Sequence, residues 1–190
     1  LAESDPRLAY ALSQTGPLPL RRRPDGFAQL LSAIISQQVS VASAAAIWKR
    51  MQDAGLTNET AVLAAGEDGL RGAGLSRQKI AYSQALAEAQ IDYHALRIAD
   101  DADVMTTLTA VKGIGIWTAE IYAMFSLGRV DVFAPGDLAL QVAAQDLYGL
   151  AERPKEKELR QMSLAWTPYR SVAARLLFAY YHIAKGREGI

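Results

Sequence analysis

Apolar residues recur along the chain at three- and four-residue spacings, and alternating runs of Val, Ile and Thr are scarce. The pattern therefore predicts helix nearly throughout. Ser4-Asp5-Pro6 has the form of a cap followed by proline in a first turn, and opens a predicted helix over about 6–13. Gly16-Pro17-Leu18-Pro19 ends it. A second helix is predicted over about 25–36, with Phe27, Leu30, Leu31, Ile34 and Ile35 on one face. Gln37-Gln38-Val39 interrupts the pattern, and Ser40 caps a third helix through Ala44, Ile47, Trp48 and Met51. Shorter helical pieces follow, broken at Gly66, Gly69, Gly72 and Gly74, and Ser76 caps a long helix over Ile80, Leu86 and Ala87. Residues 101–109 and 116–126 read as helices, with Val111-Lys112-Gly113-Ile114-Gly115 between them. A loop holding Val130, Val132, Phe133, Pro135 and Gly136 leads into a helix over 137–148. Pro154 opens a helix to about residue 166, and Pro168 opens the last, to about residue 185. No fixed-period repeat or low-complexity linker marks a cut into independent domains.

Composition narrows the chemistry. With 190 residues, 51% hydrophobic and 21% charged, the chain can bury a sizeable core, as one domain or as two small lobes sharing one, and is not a mostly disordered polypeptide. Cysteine is absent, which excludes a disulfide framework, a thiolate nucleophile, thiolate-held zinc and an iron–sulfur cluster. Two histidines, His94 and His182, are too few for a His-rich metal site. No apolar run approaches the roughly 18 residues of a membrane span. The first ten residues lack a basic segment followed by an apolar stretch, so the expectation is a soluble intracellular protein. Twenty Lys+Arg balance twenty Asp+Glu, so overall charge gives no sign of nucleic-acid binding and local features must carry any such reading.

The informative stretch is 103–141. Two predicted helices joined by a tight Gly-x-Gly turn form a hairpin, in which glycine tolerates positive φ and lets another backbone approach closely. The second helix starts at once, so the N–H groups of Gly113, Gly115 and Ile116 point outward from a positive helix end, an anion site suited to a DNA phosphate. On spacing alone, the two glycines serve equally well as a plain helix–helix turn.

Val111-Lys112-Gly113-Ile114-Gly115, followed by Trp117-Thr118-Ala119 and then Pro135-Gly136-Asp137, resembles the signature of the helix-hairpin-helix (HhH-GPD) DNA glycosylase superfamily, and within it the 3-methyladenine DNA glycosylase II type. Ile34-Ile35-Ser36-Gln37-Gln38-Val39-Ser40 resembles that type's interhelical loop, and Trp166-Thr167-Pro168-Tyr169-Arg170-Ser171 its C-terminal Pro-Trp-Arg-Ser motif. The resemblance covers nearly the whole chain in the same order. Lys112 departs from it, standing where the family often has proline. The resemblance implies an all-α, two-lobed fold with the active site in the interlobe cleft. Residues 24–128 would form the lobe carrying the wedge loop and hairpin (111–116), and 1–23 with 129–190 the lobe carrying a catalytic Asp, without the N-terminal β-rich domain of some relatives.

The resemblance also implies roles. Asp137, otherwise an ordinary helix cap, becomes the catalytic carboxylate, stabilising the positive charge that develops on deoxyribose as an N-glycosidic bond breaks, or positioning a water. Trp117 occupies the position that holds a nucleophilic lysine in glycosylases with lyase activity. An indole forms no Schiff base, so a monofunctional enzyme is implied, with Trp117 stacking on a cationic alkylated purine rather than packing in the core. Tyr169 would be another pocket wall, or simply pack at a helix start. Gln38 would be the wedge that fills the space left by a flipped nucleotide, and Gln37 would help shape the base pocket; without the family context both read as a solvated loop pair. Lys112, Gly113, Gly115 and Ile116 would bind phosphate. The carbonyls of Thr109, Val111 and Ile114 would hold a monovalent or calcium ion, with no cofactor otherwise required. Arg21 to Arg23, Arg77 and Lys79 are either phosphate contacts or a solvated charged face.

The implied function is excision of alkylated bases, of 3-methyladenine and 7-methylguanine type, from double-stranded DNA in base-excision repair. It would be performed by a monomer in the bacterial cytoplasm, away from membranes. Two alternatives stand beside it: a glycosylase for deaminated or oxidised bases, and a helix-hairpin-helix module that grips DNA without catalysis. The second needs the hairpin but not Asp137, the wedge loop or the aromatic residues.

Overall fold

Local caps set where the helices begin. The computed structural model describes residues 1–20 and 22–186, and there is no strand among them. In chain order the helices are α1 (Pro6–Thr15), α2 (Phe27–Ser36), α3 (Val41–Asp53), α4 (Glu59–Gly72), α5 (Arg77–Glu88), α6 (Tyr93–Ile98), α7 (Asp101–Thr109), α8 (Ile116–Tyr122), α9 (Leu138–Tyr148), α10 (Glu156–Ser163) and α11 (Arg170–Lys185). Asp5, Ser40, Asn58, Ser76, Asp92, Asp100 and Asp137 each accept backbone N–H groups of the first turn that follows, satisfying donors that have no partner within the helix.

The structure departs from the expected elements in four places. A short helix, α6, follows its cap at Asp92, where the apolar spacing gave no periodic run long enough to show it. Gly69 and Gly72 stay inside α4, and only Gly66, at φ 58°, kinks it. The helix that begins at Ile116 widens into a π-helical turn at Ala123–Leu127. Pro154 and Pro168 lie outside the helices they were expected to open. α10 starts at Glu156, where the Lys155 N–H donates to the Glu158 carboxylate at 2.7 Å, and a 3₁₀ turn, Leu164–Trp166, follows it.

The chain divides into two compact units, one of Arg23–Tyr122 and the other of the segments on either side, Leu1–Arg22 and Ala123 onward. In the first, α2 packs against α3 and α5, α4 against α5, and α7 against α8. Leu30, Leu31, Ile34 and Ile35 of α2, Met51, Leu70, Leu86 and Leu108 are fully buried there. The Tyr122 hydroxyl accepts the Gly26 N–H at 2.7 Å at the start of α2, and burial pushes its pKa up to about 12. In the second unit, α1 and α9 both pack on α11, and α10 lies against α9. Trp166 is buried between Phe133, at 5.3 Å edge-on, and Tyr148, at 6.2 Å between ring centroids.

Asp5 ties α1 into that second unit. Its Oδ1 caps the helix and its Oδ2 accepts the Tyr148 hydroxyl at 2.5 Å. Partial burial alone would raise its pKa, but the Tyr148 O–H and the Leu8 and Arg7 N–H groups outweigh it and hold the carboxyl below its ordinary value. A depressed folded-state pKa means that the carboxylate's stabilisation is complete above its unfolded pKa and is lost as pH falls through the lower folded value. Asp5→Ala should therefore lower stability by roughly 2 kcal/mol at neutral pH, through a lost cap and a lost charge-assisted hydrogen bond. Urea titrations from pH 7 down into the acid range should show the gap between wild type and variant closing only at the acid end.

Candidate active site

In the first unit the hairpin sits on α5. Gly113 has φ +97°, and a Cβ there would lie 2.4 to 2.7 Å from atoms of the Tyr82 side chain, so only glycine permits both the turn and its close approach to the ring. The turn is closed by the Ile114 N–H on the Val111 carbonyl at 3.0 Å, and Val111 and Ile114 are buried beneath it. Lys112, Gly115 and Ile116 are exposed, and Gly113 is half-buried. No acceptor among the described residues takes the N–H of Gly113, Gly115 or Ile116. Trp117, in the first turn of α8, is 38% exposed, so it is not a core residue. Thr109 is exposed at the end of α7, its hydroxyl bonded back to the Met105 carbonyl at 2.7 Å.

The α2–α3 loop lies in the same unit. Gln38 is exposed and holds φ +56°, a left-handed backbone that a non-glycine residue rarely adopts. The side-chain amide of Gln37, a residue expected to help shape the base pocket, donates to the Gly113 carbonyl of the hairpin at 3.0 Å. Lys79 also turns inward, its ammonium bonding the Ile35 carbonyl at the end of α2, and burial lowers its pKa. Arg77 is exposed, and burial lowers the pKa of the half-buried Arg23. Arg21 lies outside the described residues.

In the second unit Asp137 is buried, at 5% exposure. Its Oδ1 accepts the Ala139 N–H at 2.8 Å and the Leu140 N–H at 3.3 Å, and its own N–H donates to the Ala134 carbonyl at 3.0 Å. Both ends of the Pro135-Gly136-Asp137 turn are thereby fixed. Gln141 secures it from the next turn of α9, donating to the Pro135 carbonyl at 2.9 Å. A carboxylate at a helix N-terminus lies at the positive end of the helix dipole. Tyr169 is 50% exposed, immediately before α11.

Arg170 and Ser171, to which the sequence pattern assigns no role, brace the loop before Asp137. Ser171 Oγ donates to the Val132 carbonyl at 2.6 Å and accepts the Val132 N–H at 3.1 Å, and the Ser171 N–H donates to the Val130 carbonyl at 3.0 Å. Arg170 holds Asp131 through two guanidinium bonds of 2.9 and 3.0 Å, and this pair keeps the Asp131 carboxyl below its ordinary pKa. The start of α11 therefore straps down the loop that leads to Asp137. Sequence proximity gave no signal for this, since 39 positions separate the partners. Among the described residues no cluster of three His, Asp or Glu side chains is arranged to hold a metal ion.

Comparison with known proteins places the chain in a family. Residues 31–168 match the model of the HhH-GPD superfamily base excision DNA repair proteins, and the chain belongs to that superfamily. The crystal structure of a DNA-3-methyladenine glycosidase from Bacillus halodurans superposes with a TM-score of 0.87 at 35% identity, covering 98% of this chain and 89% of that one. Two proteins of Schizosaccharomyces pombe are also similar. An alkylbase DNA glycosidase-like protein, mag2, is 25% identical over 190 residues, 94% of this chain and 89% of its own. DNA-3-methyladenine glycosylase 1 is 28% identical over 188 residues, 94% of this chain and 82% of its own.

Ser171→Ala should leave the buried N–H and carbonyl of Val132 without their partner. The expected loss is about 1–3 kcal/mol, a fall in melting temperature of several degrees for a chain of this size. Thermal denaturation followed by circular dichroism measures it, and a melting temperature equal to that of wild type would remove Ser171 from the support of this loop.

Proposed function

We propose that the protein is a monofunctional DNA glycosylase of the 3-methyladenine DNA glycosylase II type, which removes alkylated purines from duplex DNA and leaves an intact abasic site. The observation that carries the reading is the buried Asp137, held by two backbone N–H groups at the start of α9 and braced by Gln141, in a chain of the HhH-GPD superfamily. Its similarity to proteins named as 3-methyladenine and alkylbase glycosylases supports the substrate class.

Each residue then has a physical task. As the N-glycosidic bond breaks, positive charge grows on the deoxyribose, and the rigid Asp137 carboxylate stabilises it or orients the attacking water. The exposed Trp117 indole stacks on the extruded base, and an electron-rich ring favours a purine made cationic by alkylation. Tyr169 adds a second aromatic wall. The N–H groups of Gly113, Gly115 and Ile116, with Lys112 beside them, take a backbone phosphate. Gln38, with its backbone already in the left-handed conformation that projects it from the loop, fills the vacated stack. A hairpin ion would sit on the carbonyls of Thr109, Val111 and Ile114. This is an uncharged oxygen set, which fits a monovalent cation better than calcium, since calcium sites draw on carboxylates. Such an ion would neutralise phosphate charge, and no step of the reaction passes through it.

Asp137→Asn keeps an oxygen for the α9 cap but loses the charge. Single-turnover release of 3-methyladenine should slow by roughly a hundred- to a thousand-fold, the scale of losing one preorganised electrostatic group, with duplex binding retained. The loss should be smaller for cationic lesions than for neutral ones, because a charged leaving group needs less help. A near-normal rate takes Asp137 out of the mechanism.

Trp117 supplies no amine, so borohydride added during turnover should trap no covalent enzyme–DNA adduct, and the product should be an unbroken abasic strand. An adduct mapped to a lysine of this chain excludes the monofunctional reading.

A further inference from the structure

Three elements of the Arg23–Tyr122 unit are fastened at one point. α5 carries two of the fastenings: Lys79 bonds the Ile35 carbonyl in the last turn of α2, and Tyr82 seats Gly113 of the hairpin against its ring. The Tyr82 ring is itself held, its hydroxyl accepting the Gln78 side-chain amide at 2.8 Å. Gln37 closes the third side, from the first residue after α2 to the Gly113 carbonyl. Its backbone is extended, at φ −63° and ψ 132°, while that of its neighbour Gln38 is left-handed, so the two side chains leave the chain in different directions. One is half-buried and bonded within the protein; the other is exposed.

We infer that Gln37 is a positioning residue that locks the α2–α3 loop to the hairpin turn, so that the point gripping a DNA phosphate and the side chain entering the base stack move as one body. The inference rests on the roles proposed for the hairpin and for Gln38. The bond joins the carbonyl of the hairpin's central glycine to the residue directly preceding the wedge. The hairpin N–H groups fix the register of the protein on the DNA backbone, and phosphate contacts of this kind carry register rather than sequence. If the loop were free to shift against the hairpin, Gln38 would meet the stack at a variable depth, and the extruded state would lose the contacts that offset unstacking. Gln37 thus acts through Gln38 and does not touch the substrate base. Lys79 supports the same arrangement from the other side of the loop, fixing the end of α2 from which both glutamines depart.

Gln37→Met preserves side-chain length and removes the donor. The test measures binding of the wild-type chain, Gln37→Met, Gln38→Ala and the double variant to two duplexes, one undamaged and one carrying a tetrahydrofuran abasic analogue. Wild type should prefer the abasic duplex, and Gln37→Met should reduce that preference by roughly three- to ten-fold, the scale of one net hydrogen bond. The double variant should be no worse than Gln38→Ala, because a residue that acts through another adds nothing once that other is gone. Wild-type preference in Gln37→Met, or losses that multiply in the double variant, overturns the inference. Single-turnover excision separates positioning from base contact: Gln37→Met should slow excision from duplex and spare a single-stranded substrate, and equal slowing on both would make Gln37 a pocket residue. If wild type shows no preference for the abasic duplex, the glycosylase reading itself fails. Amide hydrogen exchange still tests the lock without DNA: exchange at the bonded amides of Gln37, Val111 and Ile114 should speed up together in Gln37→Met, and an unchanged hairpin means that no lock exists.

Discussion

The close approach of Gly113 to the Tyr82 side chain is the constraint on which the hairpin depends. A turn between α7 and α8 could be made in many ways. This one brings backbone directly onto an aromatic ring, at a positive φ that no side chain accommodates there. With the turn seated, Val111 and Ile114 point down into the unit, Lys112 and Gly115 stay at the surface, and α8 begins with its first N–H groups turned outward. The phosphate grip proposed for this face would need no basic cluster, which suits a chain of zero formal charge.

The carboxylate is held on a different principle. Asp137 is fixed by the helix it caps, and the loop before it is fixed by the helix that comes last in the chain. Arg170 and Ser171 grip Asp131 and Val132 through side chains and backbone together, so the approach to Asp137 has little freedom before Pro135 restricts it further. Buried carboxylates are costly unless paired or hydrogen-bonded, and two N–H groups at a helix start supply that compensation. Rigidity of this kind suits the catalytic role proposed for Asp137, since a carboxylate that must reorganise during a reaction stabilises its transition state less.

The π-helical turn after α8 is braced in a similar way. Arg22 donates to the Ser126 carbonyl and Arg175 to the Met124 carbonyl, each at 2.9 Å, and the Arg175 guanidinium lies 4.6 Å from the Phe125 ring centre. A π turn misaligns carbonyls that a regular helix would satisfy, and two arginines from distant parts of the chain take them up. Arg22, one of the three consecutive arginines that invite a surface reading, thus has a structural partner at the helix junction.

Helix starts were legible in the sequence because capping is local: Asp5, Ser40, Ser76 and Asp137 each act on N–H groups two or three residues away, and apolar spacing marks the buried faces of α2 and α3. The hairpin glycines and the Pro-Gly-Asp turn were legible for the same reason, as short patterns with few conformational solutions. What lies between distant positions was not. That Gln37 bonds Gly113, 76 positions on, that Lys79 turns inward to Ile35, and that Ser171 holds Val132 are matters of which surfaces meet. Nor does periodicity reveal α6, which is too short, or the widening of α8 into a π turn. By itself, the sequence determined that this is a helical protein with a Gly-x-Gly hairpin, a capping aspartate and a tryptophan just after the hairpin. Only the tertiary structure decided which of its polar side chains face solvent and which are taken up inside, because a hydrogen bond between remote residues leaves no mark in the spacing of either.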